Sequence, residues 1–130
     1  MDAQAPLLSF TGTVLDAPDI RVLADFYRRL LGWRVTMDEP GWIKLNPPQG
    51  GPGLAFQHEP AFVPPTWPAV PGSQQMMLHL DIETTDLDAA VDAAVAAGAT
   101  LAAHQPEPDN RVMLDPAGHP FCLWIRTPGS

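Results

Sequence analysis

Apolar residues recur along this chain in two patterns, one with the period of a helix and one with that of a strand. Ile20, Leu23, Phe26, Tyr27, Leu30 and Leu31 fall on one helical face, and Arg21, Asp25, Arg28 and Arg29 lie mostly off it. Ala17-Pro18-Asp19 predicts the start of this helix, because proline fits a first turn and the Asp19 carboxylate can accept from free backbone amides. Gly32 predicts its end, since glycine readily takes the left-handed conformation that closes a helix. A second stripe of Leu87, Ala90, Val91, Ala94 and Val95 follows the cap Thr84-Thr85-Asp86 and stops at Gly98.

Strand-like segments surround both helices. Ser9 to Asp16 precedes the first, interrupted by Gly12, and a glycine within a strand marks a bulge or a close approach to the backbone. Trp33 to Met37, Gly41 to Leu45 and Leu54 to His58 follow it, separated by Asp38-Glu39-Pro40 and by the turn-rich run from Asn46 to Pro52. In the second half Met76 to Glu83 precedes the helix. Ala99 to Ala103, Arg111 to Leu114 and His119 to Ile125 follow it, the last after the turn Asp115-Pro116-Ala117-Gly118. Each half therefore reads β-α-β-β-β. Between the halves Pro60, Pro64, Pro65, Pro68 and Pro71 surround Trp67, in a stretch suited neither to a sheet interior nor to a helix, so a connector extended along the surface is expected. The expected organisation is one α+β domain over residues 1–130, with a first module at 8–60, a proline-rich connector at 61–75 and a second module at 76–126.

Within the second module, alternation turns Met76, Leu78, Leu80 and Ile82 toward the helix and Met77, His79, Asp81 and Glu83 to the opposite face. Laid on the first module, Asp86 matches Asp19, Gly98 matches Gly32, and His79 matches Gly12. Two such copies suggest a pseudo-twofold pair rather than a solenoid. One helix covers one face of each sheet, so the other faces must meet each other, a ligand or a second copy of the chain.

Charge narrows the partners. Seven basic residues against fifteen acidic ones give a net charge of -8, which disfavours nucleic acid and anionic membranes and leaves neutral or cationic small molecules. Cys122 is the single cysteine, so no internal disulfide forms, and its thiol is either a buried apolar group or a reactive one. A cytoplasmic location is expected, with no signal-peptide pattern at the N-terminus and no run of apolar residues long enough to span a bilayer. Phosphate-binding loops, nucleophile elbows and Cys-x-x-Cys pairs are absent, and Gly50-Gly51-Pro52-Gly53 reads as a turn.

Four segments, in their order along a duplicated β-α-β-β-β plan, resemble the vicinal oxygen chelate superfamily, the glyoxalase and bleomycin-resistance group. They are Phe26-Tyr27-Arg28-Arg29-Leu30-Leu31-Gly32-Trp33 after Asp19, Leu78-His79-Leu80-Asp81, Ala97-Gly98-Ala99, and Asp115-Pro116-Ala117-Gly118-His119-Pro120-Phe121-Cys122-Leu123. The resemblance covers roughly Phe10 to Ile125. It implies a half-barrel of two modules around a concave cavity. It also implies a divalent ion there, held by one side chain from the first and last strand of each module and stabilising an enolate-like oxyanion. Carried onto this chain, Gly12 stands at the first ligand position without a side chain, and His79 matches the histidine of the second module. Cys122 stands where glutamate is usual, and the remaining ligand falls among Phe56, Gln57 and His58, with the register open. The metal candidates are therefore His79, Gln57 and Cys122, an incomplete set; no cofactor is fixed, and Zn, Mn, Ni and Fe stay open, zinc being the ion that imidazole and thiolate suit best.

On the last strand Cys122 and Trp124 share a face, and Trp42, Trp67 and Phe56 can complete an aromatic wall for a flat or cationic ligand. The ligand-binding set is then Gly12, Trp42, Phe56, Gln57, His79, Cys122 and Trp124. No catalytic residue is fixed, although Asp81 can orient the His79 imidazole or act as a general base. His58, His104 and His119 lie near turns or strand ends, where solvent exposure is expected. The function expected is small-molecule binding by a homodimeric glyoxalase-like protein. The alternative is a divalent-metal-dependent lyase, or a dioxygenase-like relative of one. A purely structural dimerisation module would leave the polar face of the His79 strand unexplained.

Overall fold

Both helices begin and end at their expected caps. In the computed structural model, which describes residues 5–125, α1 spans Ile20–Leu31 and α2 spans Leu87–Ala97. Asp19 accepts from the Val22 amide at 3.3 Å, and Asp86 accepts from the Ala89 amide at 3.0 Å. Gly32 closes α1 at φ 70°, where its N–H donates to the Arg28 carbonyl.

The first module adds β1 (Gly12–Ala17), β2 (Arg34–Glu39), β3 (Trp42–Asn46) and β4 (Gly53–His58), and the second adds β5 (Leu80–Thr84), β6 (Thr100–Leu101), β7 (Asn110–Leu114) and β8 (Pro120–Ile125). They form two four-stranded mixed sheets, ordered β1-β4-β3-β2 and β5-β8-β7-β6, with no closed barrel among the described residues. In each sheet the first strand pairs parallel with the last, and the remaining pairs are antiparallel. The registers repeat: Leu15 faces Phe56 as Ile82 faces Leu123, and Val14 faces Ala55 as Asp81 faces Cys122.

The two modules share one core. Leu15, Ala17, Leu54 and Phe56 from the first sheet and Met113, Phe121 and Leu123 from the second are all buried with Leu23, Phe26 and Tyr27 of α1. Tyr27 stacks on Phe56 with ring centroids 5.8 Å apart and meets Phe121 edge-on at 6.1 Å, so one ring touches both sheets. Its hydroxyl donates to Oδ2 of the buried Asp115 at 2.7 Å. Asp115 Oδ1 accepts from the backbone amides of Ala117 and His119, each at 3.0 Å, which fixes the turn between β7 and β8. Burial raises the Asp115 carboxyl above its ordinary value, and burial followed by the nearby Asp115 charge raises the Tyr27 phenol well above its own.

Three segments depart from expectation. β5 starts at Leu80 instead of Met76, because continuing the register would set His79 opposite Pro120, which has no N–H for the ladder. Leu78, expected under the helix, is consequently 53% exposed. β6 shrinks to two residues. The connector does not run extended: Thr66 N–H donates to the Gln74 carbonyl at 2.8 Å and Ser73 N–H to the Val70 carbonyl at 3.0 Å, closing residues 66–75 into a loop. Upstream, Pro64 presses on the β7–β8 turn so closely that a Cβ on Gly118 would sit 2.9 Å from it. The expected end of the second module at residue 126 lies outside the described residues.

Tyr27→Phe should cost about 1–3 kcal/mol in urea unfolding, since Asp115 would keep a buried oxygen with no donor. Because the Asp115 carboxyl binds its proton more tightly folded than unfolded, its contribution is fullest below its ordinary pKa and fades as pH rises through the raised one. The stability of wild type relative to Asp115→Asn should therefore fall as pH rises from below the ordinary aspartate range through the raised value of the folded protein.

Candidate functional site

Each sheet keeps one face for its helix and one away from it. In the first module the face away from α1 carries Val14 and Asp16 of β1, Ala55 and Gln57 of β4, and Trp42 and Lys44 of β3. The matching positions of the second module are Asp81 and Glu83 of β5, Cys122 and Trp124 of β8, and Asn110 and Val112 of β7. The repeat is thus chemically lopsided at this level: the Val14–Ala55 pair has become Asp81–Cys122.

His79 closes this group. Its Nε2 lies 3.2 Å from Asp81 Oδ1, and one donor atom each from His79, Asp81 and Cys122 lie within 4.8 Å of one another. Cys122 is buried, Asp81 is exposed, and His79 is half-buried. Burial pushes the Cys122 thiol up, and the Asp81 carboxylate pushes it further. Without a cation the thiol stays protonated and weakly nucleophilic. Over the cluster lies Trp67, its ring stacked on the His79 imidazole at 4.8 Å with planes 27° apart and meeting His104 edge-on at 5.7 Å.

The first-module positions are placed as follows. At Gly12 a Cβ would sit 2.7 Å from the Gly53 carbonyl oxygen, so the position cannot hold a side chain without backbone movement. The register equivalent of Cys122 is Ala55, which has no donor either. Phe56 turns inward against Tyr27 and does not line the open face. Gln57 is exposed, one position farther along β4, where the second module has Trp124. The first module thus has no donor at the positions matching His79 and Cys122, whereas the second supplies a nitrogen, an oxygen and a sulfur. Asp81 was legible as a partner of His79 by alternation, but its place beside Cys122 needs the β5–β8 register.

The other histidines divide. His58 is exposed as expected, whereas His104 sits against Trp67, and His119 is partly buried. His119 Nε2 lies 2.7 Å from the Asp16 carbonyl, and its ring packs on Phe62 at 4.7 Å, joining the second module and connector to β1. Beside this junction a cavity of about 380 Å³ is lined by Val14, Asp16, Phe62, Met77, Leu78 and His119. A second, of about 370 Å³, lies between the connector loop and the second sheet, lined by Trp67, Val70, Ala102, His104, Val112 and Leu114.

A glyoxalase-like domain family model matches residues 12–124. The chain belongs to this family. Among solved structures, a glyoxalase/bleomycin resistance protein/dioxygenase family enzyme from Burkholderia phytofirmans PsJN superposes with a TM-score of 0.67 at 19% identity, covering 91% of this chain and 98% of that one. The fosfomycin resistance protein FosX from Listeria monocytogenes gives 0.68 at 11% identity, covering 95% and 94%. TnmS3, an antibiotic binding protein from Streptomyces sp. CB03234, gives 0.57 at 20% identity, covering 95% and 100%. At these identities the likeness is one of fold. No curated protein matches the chain in sequence. Among the described residues of this glyoxalase-like chain, no helix is long and apolar enough to cross a membrane.

Gly12→Ala should destabilise the protein by about 1–3 kcal/mol, read from its urea midpoint, because the added methyl must displace the Gly53 backbone.

Proposed function

We propose that this glyoxalase-like chain binds a small, flat organic molecule against the open face of its second module, beneath residues 66–75. The observation that carries this reading is the ring arrangement at Trp67, stacked on His79, edge-on to His104 and bordering the cavity of about 370 Å³. That volume falls in the range of about 300–1,000 Å³ usual for small-ligand sites. Its lining of Trp67, Val70, Ala102, Val112 and Leu114 offers apolar surface, and the His104 imidazole offers a polar contact to fix orientation. Trp124 beside Cys122, and Trp42 and Gln57 on the first module, extend the surface that a larger ligand would meet. Two structural relatives, a fosfomycin resistance protein and an antibiotic binding protein, are consistent with small-molecule binding.

The enzymatic alternative, a metal-dependent lyase or dioxygenase-like activity, has the His79–Asp81–Cys122 cluster in its favour. These three side chains would hold the ion, which when bound would stabilise an oxyanion on the substrate. Trp67, lying on the His79 ring, would keep water from that side of the site. A homodimer is part of the proposal. It is supported by exposed apolar side chains at Leu7, Leu8, Phe10, Val63, Met77 and Leu78. A cytoplasmic location accords with the one cysteine being a free, buried thiol.

Titration with a panel of planar aromatic compounds should change tryptophan emission saturably, and Trp67→Phe should lose most of that change while Trp42→Phe keeps it. A panel with no responding compound would sink the pocket. Sedimentation velocity should give a dimer at micromolar concentration, and a monomer at every concentration would overturn that part.

A further inference from the structure

The cavity of about 380 Å³ at the junction of the modules is separate from the aromatic pocket, with which it shares only Pro65. Apart from Val14, Leu15 and Asp16 of β1 and His119 just before β8, its lining comes from residues 61–65 and 74–78 of the connector. Most of its wall thus belongs to the stretch between the two copies of the β-α-β-β-β plan, not to the strands those copies share. Its volume lies within the range of about 300–1,000 Å³ usual for small-ligand sites.

The chemistry of this wall is one-sided. Val14, Phe62, Val63, Met77 and Leu78 make it apolar, and no lysine or arginine lines it. Alternation along β1 sets the half-buried Asp16 on the same open face as Val14. The Asp16 carbonyl takes the contact with His119 Nε2, but its carboxylate accepts no hydrogen bond and meets no basic side chain among the described residues. A carboxylate without a counter-charge in an apolar wall attracts a cation. Glu59, whose Oε2 accepts from the Ala61 amide at 2.9 Å, adds a second negative group beside the wall. The Phe62 ring, held against His119 at 4.7 Å, supplies an aromatic surface that a cation favours. Gln74 Nε2 donates to the Gln75 carbonyl at 2.9 Å, which leaves the Gln74 amide oxygen as a further acceptor.

We propose that this cavity binds a small protonated amine carried on an apolar body, with the ammonium group paired to the Asp16 carboxylate and the body packed against Phe62, Val63 and Leu78. The same carboxylate rejects anions, and a neutral molecule of equal shape gains only the apolar contact. Val63, Met77 and Leu78 also belong to the apolar surface offered to a second copy, so a partner chain competes for the rim. The site is independent of the aromatic pocket, and either can fail without the other.

The test is an NMR titration of the isotope-labelled full-length chain at about pH 8, above the ordinary imidazole range, with phenethylamine, phenethyl alcohol and hydrocinnamate as probes of one shape and different charge. The amine should bind about fivefold or more tightly than the alcohol, as a charge-assisted hydrogen bond to a partly solvated carboxylate provides, and hydrocinnamate should not bind. Shifts should centre on residues 61–63, 74–78 and 119. Asp16→Asn should bring the amine down to the affinity of the alcohol. Asp92→Asn, which removes an equal charge from an exposed position on α2, should preserve the preference. Phe62→Leu should weaken amine and alcohol alike. Equal affinity for the three probes, a preference that survives Asp16→Asn, or shifts centred on Trp67 would overturn the site, as would the absence of any response. Amine binding that weakens as the protein is concentrated through its dimerisation range would assign the cavity to a second copy and overturn it as well.

Discussion

The hydrogen bond from Tyr27 to Asp115 is the constraint on which the rest of the molecule depends. Each module could bury only one side of its own sheet, and a sheet with one helix is a small core. Tyr27 removes that limit by stacking on Phe56 of the first sheet while meeting Phe121 of the second. The hydroxyl then needs a partner in an apolar interior, and Asp115 supplies it from the turn that aims β8. The same carboxylate holds the amides of Ala117 and His119, so the contact that joins the modules also sets where β8 begins and which way Cys122 faces.

From that turn the site follows by strand geometry. β8 starts at Pro120, whose missing N–H ends the pairing before it reaches His79. His79 is thereby released from the ladder yet remains on the face of Asp81, 3.2 Å from its carboxylate and close to Cys122. The first module shows what happens without these groups. Gly12 and Gly53 lie so close that their backbones nearly touch, and the face there is built from Val14 and Ala55. One duplicated plan thus carries His79, Asp81 and Cys122 in its second half where the first has Gly12, Val14 and Ala55.

Much of this was legible in the amino-acid order. Asp19, Gly32, Asp86 and Gly98 bound both helices at their observed ends, and the repeated order of elements carried the fold. His79 and Cys122 fell together because alternation and the Asp-Pro-x-Gly turn fix their faces independently of distant contacts. Parity at β4 was not legible: whether Phe56 or Gln57 turns inward depends on a strand that begins at Gly53, and no local signal sets that start. Tyr27 and Asp115 are 88 positions apart, and neither announces the other. The prolines around Trp67 excluded regular structure but could not say where the loop would land, because its closure rests on backbone N–H bonds from Thr66 and Ser73 that any residue except proline could make.

The loop of residues 66–75 is tied at its own neck, by Thr66 to Gln74 and by the bridge from Thr66 to Gln75. Its shape is therefore largely its own affair, and the core of Tyr27, Phe56 and Phe121 does not run through it. Changes of length or wording inside the neck would exchange the roof over His79 while leaving the folding problem untouched. If a ligand lies beneath it as proposed, such a detachable roof would let ligand preference drift at little expense to the fold beneath.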